Sequence, residues 1–149
     1  MKKKLLIIAA VLLVLIVVCV GILGINVYAP NSRLDRYNVV NYSAERSDSG
    51  VKVSFDGADG HRTLLEFRAE PGTQVKLQYN TKLQSGDFSL MVLDPGYKIL
   101  ETYGANTQGT ADITVGDSGV YRIRLVCKKA AGNLEVNVSG DKPVHVGFR

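Results

Sequence analysis

Apolar positions follow two regimes along this chain. From Leu5 to Ile25 all 21 residues are apolar, glycine or cysteine, with no polar face. Beyond Pro30, apolar and polar residues alternate instead. Read as a helix, the first run rises about 32 Å, close to the roughly 30 Å of a bilayer's hydrocarbon core. A helix packed in a soluble core would keep a polar stripe. The pattern therefore predicts a basic cytoplasmic start at 1–4 and a transmembrane signal-anchor helix over 5–27. A polar tether at 28–36 and an extracytoplasmic domain over 37–149 follow.

In the second regime the period is two, the signature of half-buried strands. "VKVSF" places Val51, Val53 and Phe55 on one face, and "TLLEF" offers Leu65 and Phe67. "QVKLQY" aligns Val75, Leu77 and Tyr79, with Lys76 and Gln78 turned away. "DFSLMVLD" aligns Phe88, Leu90 and Val92. "VYRIRLVC" sets Tyr121, Ile123, Leu125 and Cys127 against Arg122, Arg124 and Val126. "NLEVNVSG" sets Leu134, Val136 and Val138 inside, Glu135 and Asn137 outside.

Turn signals recur as "DGADG", "EPG", "QSGD", "DPGY", "GDSG" and "AAGN". Glycine supplies positive φ in such turns, and proline presets their first central position. No sustained 3.6 period appears after Pro30. Seven to nine short strands with one-sided alternation predict an all-β, antiparallel sandwich of jelly-roll type preceded by one N-terminal transmembrane helix.

Charge refines this picture. The net +4 of the chain includes Lys2, Lys3 and Lys4; from Asn26 on, 15 Lys and Arg face 14 Asp and Glu. A nearly neutral domain exerts no general pull on nucleic acid. The lysines precede the apolar run, while Arg33, Asp35 and Arg36 after it largely offset one another. The positive-inside rule then puts the N-terminus in the cytoplasm and Pro30–Arg149 outside. Two other fates of the run are weighed. Cys19 would mark a lipidation site, but the branched Val18 stands where a small residue is needed. Cleavage after "VYA" would give a secreted form, but Pro30 would follow the cut. A retained anchor is the expectation.

The stretch "GDFSLMVLDPGYKILETY" is followed by "DSGVYRIRLVCKKAAGNLEVNVSG". Together they resemble the small jelly-roll sandwiches of exported bacterial proteins of the pre-peptidase C-terminal type. Those share an apolar strand, an Asp-Pro or Asp-Gly turn, a Gly-x-Tyr-x-(Ile/Val)-x-(Leu/Val) strand and a last strand. The resemblance covers roughly Thr73 to Gly140. Golgi-dynamics (GOLD) domains resemble the same stretch about as well, including the cysteine after the Tyr strand. Ser89, Leu90 and Met91 stand where the pre-peptidase pattern tends to carry paired acids, so no calcium or ligand role is carried over. The resemblance implies an accessory, non-catalytic module.

Candidate chemistry is sparse. Cys127 is the one cysteine after the apolar run and points inward, so it is expected to be a small buried hydrophobe. Two separated histidines, His61 and His145, do not make a metal site. "DGADGH", Asp56 to His61, is expected to be a hairpin turn. No Gly-x-Ser-x-Gly, Ser-x-x-Lys or Cys–His pattern marks a nucleophile, and no cofactor is implied. Arg122, Arg124 and Lys128 form an outward row with Lys129 beside it; such a row is either a solvated face or a site for a polyanion such as a cell-wall polymer or lipid headgroups. There is no Trp, so a sugar-stacking site would rest on tyrosines; Tyr97 and Tyr103 are the candidate platform.

The reading is of a membrane-anchored, non-enzymatic envelope module that binds a protein partner. The alternatives are a binder of cell-wall polymer or glycan, and a cleaved secreted form of the same domain.

Overall fold

The computed structural model describes residues 11–14 and 29–149. Val11 to Val14 are helical and exposed. The rest of the expected anchor, with Lys2–Lys4 and Cys19, lies outside the described residues. Among the described residues no helix is long and apolar enough to cross a membrane.

The predicted alternation does form strands. They are β1 (Arg36–Val40), β2 (Ser43–Arg46), β3 (Gly50–Arg68), β4 (Gln74–Leu93), β5 (Ile99–Gly104), β6 (Gln108–Thr114), β7 (Tyr121–Gly140) and β8 (His145–Phe148). Every pairing is antiparallel. Three strands run 19 or 20 residues, far longer than the usual five or six. Each passes through both halves of a sheet that folds over on itself. In half-sheet A the order is β2-β3-β7-β4-β6; in half-sheet B, β1 and β8 follow one another along the same edge of β3, whose other edge pairs with β7, then β4 and β5.

The bends explain why three sequence turn signals are not turns. "DGADG" lies inside β3, "QSGD" inside β4 and "AAGN" inside β7. The β3–β7 register slips between Phe55 and Ala58 and again before Gly60; the β4–β7 register slips on either side of Ser85. These are β-bulges, which bend a strand so that it can switch layers. The expected hairpin at Asp56–His61 is thus a corner of one continuous strand. Gly60 (φ +100°) and Gly86 (φ +74°) occupy conformations that side chains rarely adopt. A Cβ there would collide with the Arg36 or Lys129 carbonyl oxygen. "EPG", "DPGY" and "GDSG" do connect strands, and the Tyr121 hydroxyl ties the last of these down. It accepts from the Gly116 and Asp117 N–H groups at 3.1 and 3.2 Å and donates to the Asp117 carbonyl.

Inward side chains of both halves merge into one core that includes Val53, Leu77, Leu90, Ile123, Leu125, Leu134 and Val136. At the corner Phe55 meets Phe88 edge-on, centroids 5.8 Å apart. In half-sheet B, Phe67 stacks on Tyr121 at 5.3 Å. Cys127 is buried in this core, and desolvation pushes its thiol up to about 12. A thiol at that pKa carries almost no thiolate at neutral pH.

Candidate functional site

The structure first redistributes the residues singled out from sequence. Arg122 and Arg124 do point to the outer face of half-sheet B, but neither is solvated. Arg124 is 0% exposed and Arg122 8%. Residues 30–35, expected as a tether, lie across this face as a strap. Arg124 donates from Nη1 to the carbonyls of Pro30 (2.8 Å) and Ser32 (2.6 Å). From Nη2 it donates to Asp35 Oδ1 (2.9 Å) and Thr63 Oγ1 (3.1 Å). Thr63 completes the ring by donating its N–H and hydroxyl to the Asp35 carboxylate. Tyr97, in the left-handed region at φ 67°, lays its ring 4.2 Å from the Arg122 guanidinium and 5.7 Å from that of Arg124. Arg122 also pairs with Glu66 at 3.2 Å, a charge contact without hydrogen-bond alignment. The expected row is therefore a clasp. A guanidinium presents five donors in a fixed fork, and Arg124 spends its fork on the strap.

Lys128 and Lys129 are exposed but sit at the corner, where the Lys129 N–H donates to Asp59 Oδ1. They are not continuous with the two arginines. Tyr97 and Tyr103 do not form a platform either. Tyr97 faces the clasp, whereas Tyr103 stacks on Tyr79 with centroids 4.3 Å apart. Burial raises the Tyr103 hydroxyl to about 12. Among the described residues, no cluster of three or more His, Cys, Asp or Glu is placed to hold a metal ion.

His61 belongs to the clasp. It is buried, and its Nε2 lies 2.9 Å from the Leu34 carbonyl and 3.1 Å from Ser32 Oγ. A carbonyl only accepts, so Nε2 carries the hydrogen donated to Leu34. Burial lowers the His61 pKa below its ordinary 6.5, and Arg124 adds to that. Neutral His61 is thus the folded form, and the unfolded chain binds the extra proton first. The stability that His61 contributes is complete above about pH 6.5 and falls as the pH drops toward the folded pKa. Urea midpoints measured between pH 7.5 and 5 should decline, and a His61→Gln variant should flatten that part of the decline.

The opposite outer face, on half-sheet A, is open, and its residues converge by register. Thr110, Gln78 and Asn137 form one cross-strand row. Gln108, Asn80, Glu135 and Lys52 form the next, extended by Glu45. Asp112, Lys76 and Ser139 form a third. Two depressions of about 440 and 480 Å³ lie at successive positions along these strands. The first is lined by Gln78, Asn80, Gln108, Thr110, Glu135 and Asn137, the second by Lys76, Asp112, Ser139 and Asp141 among others. Asn137 and Gly50 are paired, and a Cβ at Gly50 would strike the Asn137 side chain. The missing side chain is what gives Asn137 its place on the face. The three rows carry no apolar side chain. Lys52, Lys76 and, on the next row, Lys82 stand against Glu45, Glu135, Asp112 and Asp141, so the face carries no excess of cations.

Sequence alternation marks Gln78, Glu135 and Asn137 as outward. Only the β4–β7 register brings Gln78 opposite Asn137 and Asn80 opposite Glu135. Register depends on which strands pair, and local pattern does not specify that.

No family model matches the chain, and no curated protein matches it. The pre-peptidase and GOLD resemblances therefore stand on strand pattern alone. Among solved structures, a family two carbohydrate esterase from Clostridium thermocellum is similar at 16% identity and a TM-score of 0.40, over 77% of this chain and 33% of that one. The C-terminal CBM6 of LamC from Zobellia galactanivorans gives 16% identity and 0.34, over 68% and 90%. TmCBM61, solved with β-1,4-galactotriose, gives 10% identity and 0.34, over 76% and 88%. The chain spans about a third of the esterase's length. At these identities and scores, no property of those proteins transfers to this chain.

Proposed function

We propose that this chain is a non-catalytic module of jelly-roll type that binds a neutral glycan polymer across the outer face of half-sheet A. In this reading the Leu5–Ile25 run anchors the chain in a membrane and holds the domain at its outer surface. The observation that supports it is the set of cross-strand rows bearing amides, hydroxyls and charges of both signs. Each Asn or Gln amide supplies donors and an acceptor, matching sugar hydroxyls that both donate and accept. The sheet fixes these groups about 4.8 Å apart across strands and about 6.7 Å apart along them. An open trough suits a polymer lying across it, whereas small-molecule sites are enclosed and mostly apolar. With three lysines against four acids, the face favours a neutral polymer over a polyanion, because a polyanion site needs an excess of cations.

The test is retention of the full chain, purified in detergent, on insoluble neutral and polyanionic polysaccharides. Binding to a neutral polymer should survive added salt. The double variant Gln78→Ala, Asn137→Ala should weaken it by about tenfold or more, at about 1 kcal/mol for each hydrogen-bonding group lost. Retention on polyanions alone, abolished by salt, overturns this reading. Retention by wild type and variant alike overturns the assignment of the face.

A further inference from the structure

We infer that strand β6 is the contact of a two-fold dimer, in which β6 of a second copy of this chain pairs antiparallel alongside it. The inference does not depend on what the outer face of half-sheet A binds. A sheet edge leaves a row of N–H and C=O groups unpaired, and proteins usually guard such rows with short strands, bulges, lysine or proline. Most edges here are guarded. β1, β2 and β8 have five residues or fewer. β5 has six, carries Glu101, and its register on β4 slips after Val92. β6 has seven, QGTADIT, with one charge and neither lysine nor proline. Its register on β4 runs from Gln108 to Thr114 without a slip.

Backbone bonds just beyond its two ends show which groups point outward. The Val115 N–H donates to the Thr73 carbonyl, and the Thr81 N–H donates to the Thr107 carbonyl. Thr107 and Val115 therefore turn their backbone groups toward β4, and strand alternation turns those of Gly109, Ala111 and Ile113 the same way. Gln108, Thr110, Asp112 and Thr114 turn theirs away, and among the described residues no strand pairs on that side. All four are exposed.

This edge fits its own copy. A two-fold axis applies the same surface to both chains. With Ala111 opposite Ala111 on that axis, Thr110 faces Asp112 and Gln108 faces Thr114, each twice. All four outward residues then exchange both backbone bonds, giving four pairs of two bonds each. The one charge on β6 meets a hydroxyl. Sliding the copies one pairing step in one direction sets Asp112 against Asp112, and like charges directly opposite are destabilising. Sliding them the other way carries Thr114 past the end of its partner strand. The polar face also continues. In the dimer the row Ser139, Lys76, Asp112 runs on into Thr110, Gln78 and Asn137 of the second copy. Both depressions reach β6, through Gln108, Thr110 and Asp112, so the second copy extends each beyond its own edge. A foreign strand would supply the backbone bonds, but only a second copy continues these rows.

The test uses the full chain in detergent with Cys19→Ala, leaving buried Cys127 in place. Analytical ultracentrifugation should show a monomer–dimer equilibrium. Thr110→Pro removes an N–H that β4 does not use, a change tolerated on an edge strand. It deletes one bond per chain, two per dimer, and should weaken association by about 25-fold or more, at about fivefold per bond. The strand signal in circular dichroism should be kept. Ala111→Cys places two thiols across the axis, where Cα atoms of a non-hydrogen-bonded pair lie about 4.5 Å apart, within reach of a disulfide. It should cross-link under mild oxidant. Thr110→Cys sets its Cα atoms about 8–9 Å apart, too far to bridge, and should not. A monomer at every concentration, with no cross-link at 111, overturns the pairing. A dimer unchanged by Thr110→Pro lies elsewhere and overturns it too. Cross-linking at 110 in preference to 111 overturns the register. Should Thr110→Pro fail to fold, the two cysteine variants decide.

Discussion

Replacing Arg124 with alanine is expected to remove about 3–5 kcal/mol of stability, the range for breaking a buried ion pair by deleting one partner. The loss has two parts. Asp35 and Thr63 lose their cationic donor, and the carbonyls of Pro30 and Ser32 lose theirs. Each of these groups is left poorly placed to recover a partner while the strap stays down, so the strap lifts. Taking urea slopes near 2 kcal/mol per molar, the midpoint should fall by about 2 M. Release of the strap should also open cleavage by trypsin after Arg33 and Arg36. Arg124→Lys keeps the charge but offers a compact ammonium in place of a planar fork, so it should sit between wild type and alanine. A loss under about 1 kcal/mol for Arg124→Ala, with unchanged proteolysis, would show that the strap holds without the arginine.

Truncating Phe88 to alanine is expected to cost a similar amount, about 3–5 kcal/mol, for a different reason. Phe88 is 2% exposed, meets Phe55 across the corner and lies against Gly132. Its removal opens a cavity where strands are already bulged and where neighbouring backbone cannot settle inward without breaking ladder bonds. Phe55→Ala should behave alike. The double variant should lose less than the sum of the singles, by about 0.5–1.5 kcal/mol, because each single already forfeits the edge-to-face contact. Strict additivity in denaturant unfolding would mean that the two rings contribute independently.

These two sites also separate what local pattern reveals from what it hides. Phe55 and Phe88 are inward by alternation, and Val51, Leu77, Ile123 and Val136 follow the same rule into the core. The antiparallel all-β class was readable because period-2 alternation survives whichever strands pair. Three bends were not, because glycine with Asp, Ser or Asn serves a bulge as readily as a hairpin. The local residues at Asp56–Gly60 would support either. Alternation also misplaced Arg122 and Arg124. It reports which face of a strand a residue occupies, and an outward face becomes interior when another segment lies over it. That segment, 30–35, is polar and reads as a linker; nothing in it announces a partner some 90 positions later in the chain. The open face of half-sheet A was half legible. Its members were marked as outward one by one, and their meeting required the register of β4 on β7.

Strands β3 and β4 do not touch through hydrogen bonds; each finds its long-range partner in β7. Until residues 121–140 have been synthesised, the earlier chain can form only local hairpins, β3 with β1 and β2, and β4 with β5 and β6. Neither hairpin set encloses a core. Synthesis must therefore reach about residue 140 before cooperative folding of this domain can begin. Pairings this distant in sequence also fold slowly, on the millisecond-to-second scale of all-β domains.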